Sequence, residues 1–256
     1  MKTVTEWAKL TWPEAKDAVE RMPACILPIG AVEAHGPHLT LDTDNLLSTE
    51  ICRRVAAETG AILMPTMPYG QVWSLYDYPG TLSVSIYTLI AVIKDLLRSF
   101  RDKGFKVAFV YCGHLGNLPA IKQAIREAYE EIPGIKGVLL RGSFTDRDHV
   151  LTTRRSHHTY LHACEIETSE ILECAPQAAY MDRAVCDYPD YPPDFDLTPT
   201  RWSEVTKTGV LGDATAATPE KGKAIVAEIV QSATEVVKYQ LGLLGLPLPA
   251  SEGVKR

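Results

Sequence analysis

One stretch of the chain, ACILPIGAVEAHGPHLTLDTD at residues 24–44, joins an apolar run to a polar loop. The apolar run, residues 24–31, has the length and composition of a buried β-strand. Residues 43–59 then place leucine, isoleucine and valine at helical spacing, and Gly60 follows as a helix stop. The stretch therefore predicts a strand–loop–helix unit with its polar loop at the carboxyl end of the strand.

The same alternation continues along the chain. Further strands are predicted at residues 61–68, 106–112 and 134–140. Amphipathic helices are predicted before Gly104, after the GHLGN motif, at residues 165–175 and from Thr218-Pro219 onward. Strands that alternate with helices are typical of a mostly parallel sheet covered by helices. We expect one α/β domain that spans residues 1–256.

The composition and charge of the chain favour some classes of function over others. The 256 residues are 46% hydrophobic and 23% charged, as in an ordinary globular protein. A formal net charge of -6 without a basic cluster argues against a nucleic-acid partner and favours a small-molecule substrate. We expect a cytoplasmic protein, because no secretory leader or membrane-length apolar run is present and the six cysteines form no CxxC pair.

Two loops that follow predicted strands carry side chains with metal-binding chemistry. The loop after the first strand holds Glu33, His35 and Asp44, and the GHLGN motif after the strand at 106–112 holds His114. Loops at the carboxyl ends of parallel strands line the ligand sites of such sheets. Glu33 and His35 are two residues apart, so in an extended segment their side chains point the same way. Imidazole and carboxylate ligands suit zinc, manganese or iron, and Asp44 is placed to bridge two ions.

Several motifs of the chain resemble those of the creatininase family of metal-dependent amidohydrolases. PIGAVEAHGPHLTLDTD (28–44) resembles the first-strand motif of that family, and GHLGN (113–117) resembles its second motif. The resemblance continues through PGT (79–81), HACEIETS (162–169) and GVLGDATAATPEKG (209–222), in the expected order. It implies a three-layer α/β/α sandwich with a mostly parallel sheet, and a homohexameric assembly.

The resemblance also implies a reaction and roles for individual residues. It makes Glu33, His35, Asp44 and His114 ligands of two divalent metal ions per chain, with Asp44 bridging, and makes His162 the proton-transfer residue. The implied activity is cleavage of a C–N bond in a cyclic amide, lactam or formamide by a hydroxide that bridges the metals. The alternative is a metal-dependent sugar isomerase or lyase that stabilises an enediolate at the same site.

Two departures from the family pattern affect these expectations. Creatinine-cleaving members carry a ligating glutamate two residues after the second-motif histidine, where this chain has Gly116. If HACEIETS is helical, Glu165 lies about 60° round the helix from His162 and Glu167 about 140° away. We therefore expect Glu165 to be the substitute ligand and Glu167 to be structural.

The second departure concerns the substrate. Many members have a Glu-His pair in the loop at 70–78, where this chain has Ser74 and Leu75. That loop is expected to contact the substrate, so the substrate is expected to differ from creatinine. Trp73, Tyr76 and Tyr78 are placed to wall a flat substrate, and packing in the core or at an interface is an equal alternative for each.

Overall fold

The structure is a computed structural model and describes residues 3–141, 148–195 and 197–248. The strands are β1 (Ala24–Ile29), β2 (Ile62–Leu63), β3 (Val107–Cys112), β4 (Lys136–Arg141), β5 (Cys186–Asp187) and β6 (Gly212–Asp213). The α-helices are α1 (Trp12–Arg21), α2 (Thr43–Thr59), α3 (Ile86–Asp102), α4 (Leu118–Glu131), α5 (Glu165–Cys174) and α6 (Pro219–Leu243).

The main sheet has four parallel strands in the order β2-β1-β3-β4. Every residue of β1 and β3 is buried, whereas β4 at the sheet edge is partly exposed. Buried parallel strands are expected to be continuously apolar, as these two are. The short β5 and β6 form a separate antiparallel pair.

Helices cover both faces of the sheet. Ile26 and Phe109 pack in the cluster that contains the buried faces of α2, α5 and α6. Their chain neighbours Leu27 and Val110 pack in the cluster of α1, α3 and α4 on the other face. This alternation follows from the two-residue period of a strand. The expected three-layer α/β/α sandwich is thereby confirmed.

Local sequence signals set the helix ends. Gly60 ends α2 in the left-handed conformation with φ 74°, and the Thr218 hydroxyl accepts a hydrogen bond from the Lys221 N–H at the start of α6. The strand predicted at 61–68 is shorter than expected, since only Ile62 and Leu63 form it. Pro65 and Pro68 lack the N–H groups that a longer ladder needs.

The strand order creates a crevice above β1 and β3. From β1 the chain first adds β2 on one side and then crosses to add β3 on the other side. Ligands of doubly wound sheets bind at the carboxyl ends of the strands where the order reverses. The loops that leave β1 and β3 carry Glu33, His35 and His114, so the fold brings these residues to that point. Among the described residues, no helix is both long and apolar enough to cross a membrane.

Candidate metal centre

Four side chains meet in the crevice. Glu33 and His35 lie in the loop after β1, Asp44 lies in the first turn of α2, and His114 follows β3. All four are buried. The helix N-terminus favours the negative charge of Asp44. The structure thus brings together the four residues that were predicted from the sequence to be metal ligands.

Asp44 faces both histidines with different oxygens. Its Oδ1 lies 3.3 Å from Nε2 of His35, and its Oδ2 lies 3.3 Å from Nδ1 of His114. Glu33 Oε2 lies 3.1 Å from the same nitrogen of His114 and 3.9 Å from Nε2 of His35. Both carboxylates therefore stand between the two imidazoles, an arrangement that suits two cations sharing a bridging ligand.

Among the described residues, two overlapping groups have the geometry of a metal site. Glu33, Asp44 and His114 form one group, and Glu33, His35 and His162 form the other, each with its ligand atoms within 4.8 Å of one another. The second group includes His162, which lies in the segment after β4 and before α5. Its ring centroid is 4.3 Å from that of His35.

Backbone carbonyls determine which nitrogen of each histidine faces the site. Nδ1 of His35 donates to the Glu33 carbonyl at 3.1 Å, and Nε2 of His114 donates to the Gln71 carbonyl at 3.0 Å. Nε2 of His162 donates to the Ala34 carbonyl at 2.8 Å. The second nitrogen of each ring therefore faces the site. Metal-binding histidines are commonly held in this way, because the outer hydrogen bond selects the tautomer.

The buried carboxylates favour bound cations. Burial lowers the pKa of His35, but Asp44, Glu167 and Glu33 outweigh it and raise that pKa to about 10. Burial likewise opposes the carboxylates that raise the pKa of His114 well above its ordinary value. Burial also raises the pKa of Asp44, but the two imidazoles hold it below its usual range. Without a metal, protons on the imidazoles balance the charge of the carboxylates. Bound cations would replace these protons.

Unsatisfied polar atoms support the same interpretation. Glu33 Oε1, His35 Nε2 and Asp44 Oδ2 are buried and have no hydrogen-bond partner within the part of the chain that the structure describes. A buried polar atom without a protein partner is unfavourable unless a water or an ion satisfies it. These oxygen and nitrogen donors therefore fit one or two divalent cations.

Helix α5 agrees with the helix predicted at 165–175, but it does not extend back to His162. Helix α5 begins at Glu165, and Ala163 has a left-handed backbone with φ 47°. The chain thus turns sharply after His162, so angles round a helix do not apply to it. This turn brings the Glu167 side chain into the cavity, where its Oε2 accepts a hydrogen bond from the Ala163 N–H and lies 3.8 Å from His162 Nδ1.

The structure places Glu165 away from the metal centre, which corrects the expectation that it substitutes for the ligand missing at position 116. Its Oε1 accepts from Thr152 and from the Lys221 ammonium, and its Oε2 accepts from Thr153. Although burial raises the pKa of Glu165, these donors lower it to about 2. Its carboxylate is therefore committed to joining α5 to α6.

A cavity of about 570 Å³ opens over the metal centre. Trp73, Ser74 and Leu75 line it, as the sequence predicted for this loop. Tyr76 and Tyr78 do not line it, which corrects their assignment to substrate binding. The Tyr78 hydroxyl donates to the Thr206 carbonyl at 2.6 Å, and the exposed Tyr76 ring stacks under the Arg201 guanidinium. Both rings help to hold the loop in place.

Sequence reasoning missed most of the aromatic wall. Tyr160, Phe195 and Trp202 line the cavity together with Trp73. They come from two polar or Pro-rich segments that carry no regular periodicity. The only signal available was the presence of large aromatic residues in otherwise polar loops, which favours packing against a site or a core.

Gly116 lies against the metal centre without contributing a ligand. A Cβ atom at this position would lie 2.4 Å from the Gln71 carbonyl oxygen and 2.4 Å from His114 Nε2. Real Cβ atoms essentially never approach other heavy atoms so closely. The backbone of Gln71 occupies the space that a glutamate at position 116 would need.

Comparisons with known proteins identify the family of the chain. The family profile of creatinine amidohydrolase matches residues 8–237. The creatinine amidohydrolase of Pseudomonas putida is 30% identical over 250 residues, which cover 91% of this chain and 95% of that protein. The mycofactocin precursor peptide peptidase of Mycolicibacterium smegmatis is 30% identical over 227 residues, which cover 85% of each.

Solved structures show the same relationship. A glutamine variant of creatininase described as the Zn-Zn type superposes with a TM-score of 0.80 at 28% identity, covering 93% of this chain and 98% of that one. The family profile covers most of the sequence, and the relatives share both the fold and the length. The chain therefore belongs to the creatininase family and is a hydrolase of carbon–nitrogen bonds.

Proposed function

We propose that this enzyme hydrolyses a cyclic amide, lactam or formamide of a small molecule at a pair of divalent cations. The observation that carries the proposal is Asp44, which presents one oxygen to each of two buried histidines at 3.3 Å. Glu33, His35, Asp44 and His114 would hold the cations, and zinc or manganese suits these ligands. When bound, two cations would supply an activated water and polarise the carbonyl oxygen of the amide.

His162 is proposed as the proton-transfer residue. Its Nε2 is fixed by the Ala34 carbonyl, so Nδ1 is the atom available to the cavity. In a general-acid step, Nδ1 would deliver a proton to the leaving nitrogen. The Glu167 carboxylate lies 3.8 Å from Nδ1 on the wall of the same cavity.

The cavity wall indicates the kind of substrate. Among the described lining residues, no lysine or arginine is present, and four aromatic rings face the opening. None of these described lining residues offers a lysine or arginine side chain to a substrate carboxylate. An uncharged and flat molecule would stack on Trp73 and Trp202 and keep its amide over the metal centre.

Arg201 supports this wall from outside. Its guanidinium donates to the Trp73 carbonyl and stacks 4.3 Å from the centroid of that indole ring. The Trp202 N–H also donates to the Ser74 carbonyl at 2.9 Å. The loop at 70–80 and the segment around residue 202 are thus joined, and we propose that together they shape the substrate pocket.

We also propose a homo-oligomer, a hexamer by family resemblance, in the cytoplasm. Trp12, Tyr87 and Tyr129 are each at least 80% exposed in the single chain, as residues at an interface between chains would be. All six cysteines are free thiols, which is typical of a reducing compartment. Sedimentation of the purified protein would give the number of chains.

The proposed function is tested by metal analysis and product analysis of the purified protein and of Asp44→Asn. We expect about two cations per chain in the unchanged protein, and fewer than one in the variant, because a bridging ligand serves both sites. The control Asp102→Asn removes a carboxylate at the exposed end of α3 and should keep both cations.

The activity assay uses creatinine, lactams, formamides and short peptides as candidate substrates. Release of an amine and an acid from a lactam or formamide, lost in Asp44→Asn, would support the proposal. An isomerised sugar without release of an amine would instead support the isomerase alternative. No uptake of metal by the unchanged protein would contradict the two-cation centre.

A further inference from the structure

We propose that Glu167 supplies the carboxylate that the second metal position would otherwise lack. The inference rests on the proposed two-cation centre and assigns a ligand that the sequence pattern does not provide. It concerns the group formed by Glu33, His35 and His162, which shares Glu33 with the group formed by Glu33, Asp44 and His114.

The two metal positions differ in their supply of negative charge. The first position is surrounded by two carboxylates and one imidazole, from Glu33, Asp44 and His114. The group beside His35 has two imidazoles, from His35 and His162, and only shares the oxygens of the same two carboxylates. A divalent cation held there would need a further anionic ligand to bind tightly.

Position 116 cannot provide that ligand without a change in the backbone. The Cβ of any side chain there would collide with the Gln71 carbonyl and with the ring of His114. The Gln71 carbonyl is itself the acceptor that orients His114. A glutamate at position 116 would therefore disturb the first metal position in order to complete the second.

Glu167 is placed to supply the carboxylate from the opposite wall. Its side chain is 8% exposed and lines the same cavity as Glu33, Asp44 and His162. One oxygen, Oε2, is oriented by the Ala163 N–H and lies 3.8 Å from His162, a member of the group beside His35. Among the described residues, its Oε1 has no hydrogen-bond partner and is available to a cation.

Glu167 and Glu165, both on α5, differ in what their carboxylates contact. The neighbouring acid on the same helix, Glu165, is excluded because both of its oxygens already accept hydrogen bonds from Thr152, Thr153 and Lys221. Glu167 is thus the acid of α5 whose position suits the metal centre.

The test is a titration of the metal-free protein with Co²⁺ alone, followed by calorimetry and by the visible absorption of the bound ion. The unchanged protein is compared with Glu167→Gln, His162→Asn and the control Glu173→Gln. Glu173 lies on the same helix but its carboxylate pairs with Arg54 outside the cavity. We expect Glu167→Gln to keep one tight ion and to bind the second at least about 100-fold more weakly. Removal of an outer-shell partner already weakens metal binding by up to about 100-fold, and loss of a ligand should cost at least as much.

Each outcome separates this inference from the proposed function. Two ions in the unchanged protein, in His162→Asn and in Glu173→Gln, but one tight ion in Glu167→Gln, would support Glu167 as a ligand. Two ions of unchanged affinity in Glu167→Gln would overturn the inference and leave the two-cation centre intact. Loss of the second ion only in His162→Asn would overturn it in favour of His162. A single ion in the unchanged protein would overturn both.

Discussion

At position 116 the absence of a side chain is a requirement of the backbone around it. Gly116 approaches the Gln71 carbonyl and the ring of His114 so closely that even a methyl group would collide with both. The same carbonyl orients His114 toward the metal centre. A substitution at Gly116, which is not itself a ligand, is therefore expected to affect metal binding by displacing its neighbours.

We predict that Gly116→Ala lowers the free energy of unfolding by about 1–3 kcal/mol, the usual cost of inserting a group into a packed region. It should also weaken metal binding, because His114 must move. Urea unfolding and metal analysis would measure the two effects. The matched control is Gly242→Ala, since a Cβ at this position in α6 would meet nothing within 4 Å.

The control is expected to be neutral or stabilising by about 0.5–1 kcal/mol, as alanine is preferred over glycine in a helix. If Gly116→Ala were as stable as the control and bound metal equally well, the close approach of Gln71 would have no consequence. The comparison thus separates the effect of local packing from the general effect of removing a glycine.

At the scale of elements, the start of α5 decides which acid faces the metal centre. The assignment of Glu165 as substitute ligand assumed a helix that includes His162, but Ala163 has a left-handed backbone and α5 begins at Glu165. Glu165 then points toward α6, and Glu167 points into the cavity. One backbone conformation exchanges the roles of two acids that lie two residues apart.

We predict that Lys221→Met lowers the free energy of unfolding by about 3 kcal/mol, because it leaves the buried Glu165 carboxylate without its cation. Glu165→Gln should also destabilise the protein, and the double variant should lose less than the sum of the two single variants. Thermal or urea unfolding of the four proteins provides the measurement.

The metal content gives the second readout of the same variants. Both single variants should retain the metal of the unchanged protein, because Glu165 lies outside the metal centre. Loss of a cation in Glu165→Gln with the fold intact would restore Glu165 as a ligand. Retention would agree with its role as a link between α5 and α6.

At the scale of the whole molecule, both helical layers pack on one sheet. Adjacent residues of β1, such as Ile26 and Leu27, belong to the two opposite hydrophobic clusters. Loss of one helical layer would expose one face of the strands and so destabilise the sheet on which the other layer packs. The two clusters are therefore expected to unfold together.

We predict one cooperative unfolding transition for the chain, in agreement with the single domain expected from its sequence. Calorimetry of the metal-free protein would measure it, and the fluorescence of Trp202 beside the cavity should change at the same temperature as that of Trp7. Trp7 packs against Phe105 in the cluster of α1, α3 and α4, and Trp202 packs in a smaller cluster beside the cavity, so the two reporters probe different parts of the molecule. Separate transitions would indicate more than one domain.

Much of the fold followed from patterns that are local in the chain. The strand predicted at 24–31 is present as β1 at Ala24–Ile29, and the helix at 43–59 ends at Gly60 as predicted, because hydrophobic period and end signals act over a few residues. The short β2 was overestimated, since its length depends on which N–H groups find a partner in the assembled sheet. Strand order was beyond the patterns alone and followed from packing.

The chain itself determined the chemistry of the candidate site, because Glu33, His35, Asp44 and His114 lie in loops whose place at the strand ends follows from alternating strands and helices. Only the tertiary structure decided which imidazole nitrogens face the centre, that Glu167 rather than Glu165 lines the cavity, and that the aromatic wall includes Tyr160, Phe195 and Trp202. The physical reason is distance along the chain. These features depend on backbone carbonyls, on the turn at Ala163 and on loops that belong to separate segments of the chain. The segments come into contact only when the layers pack.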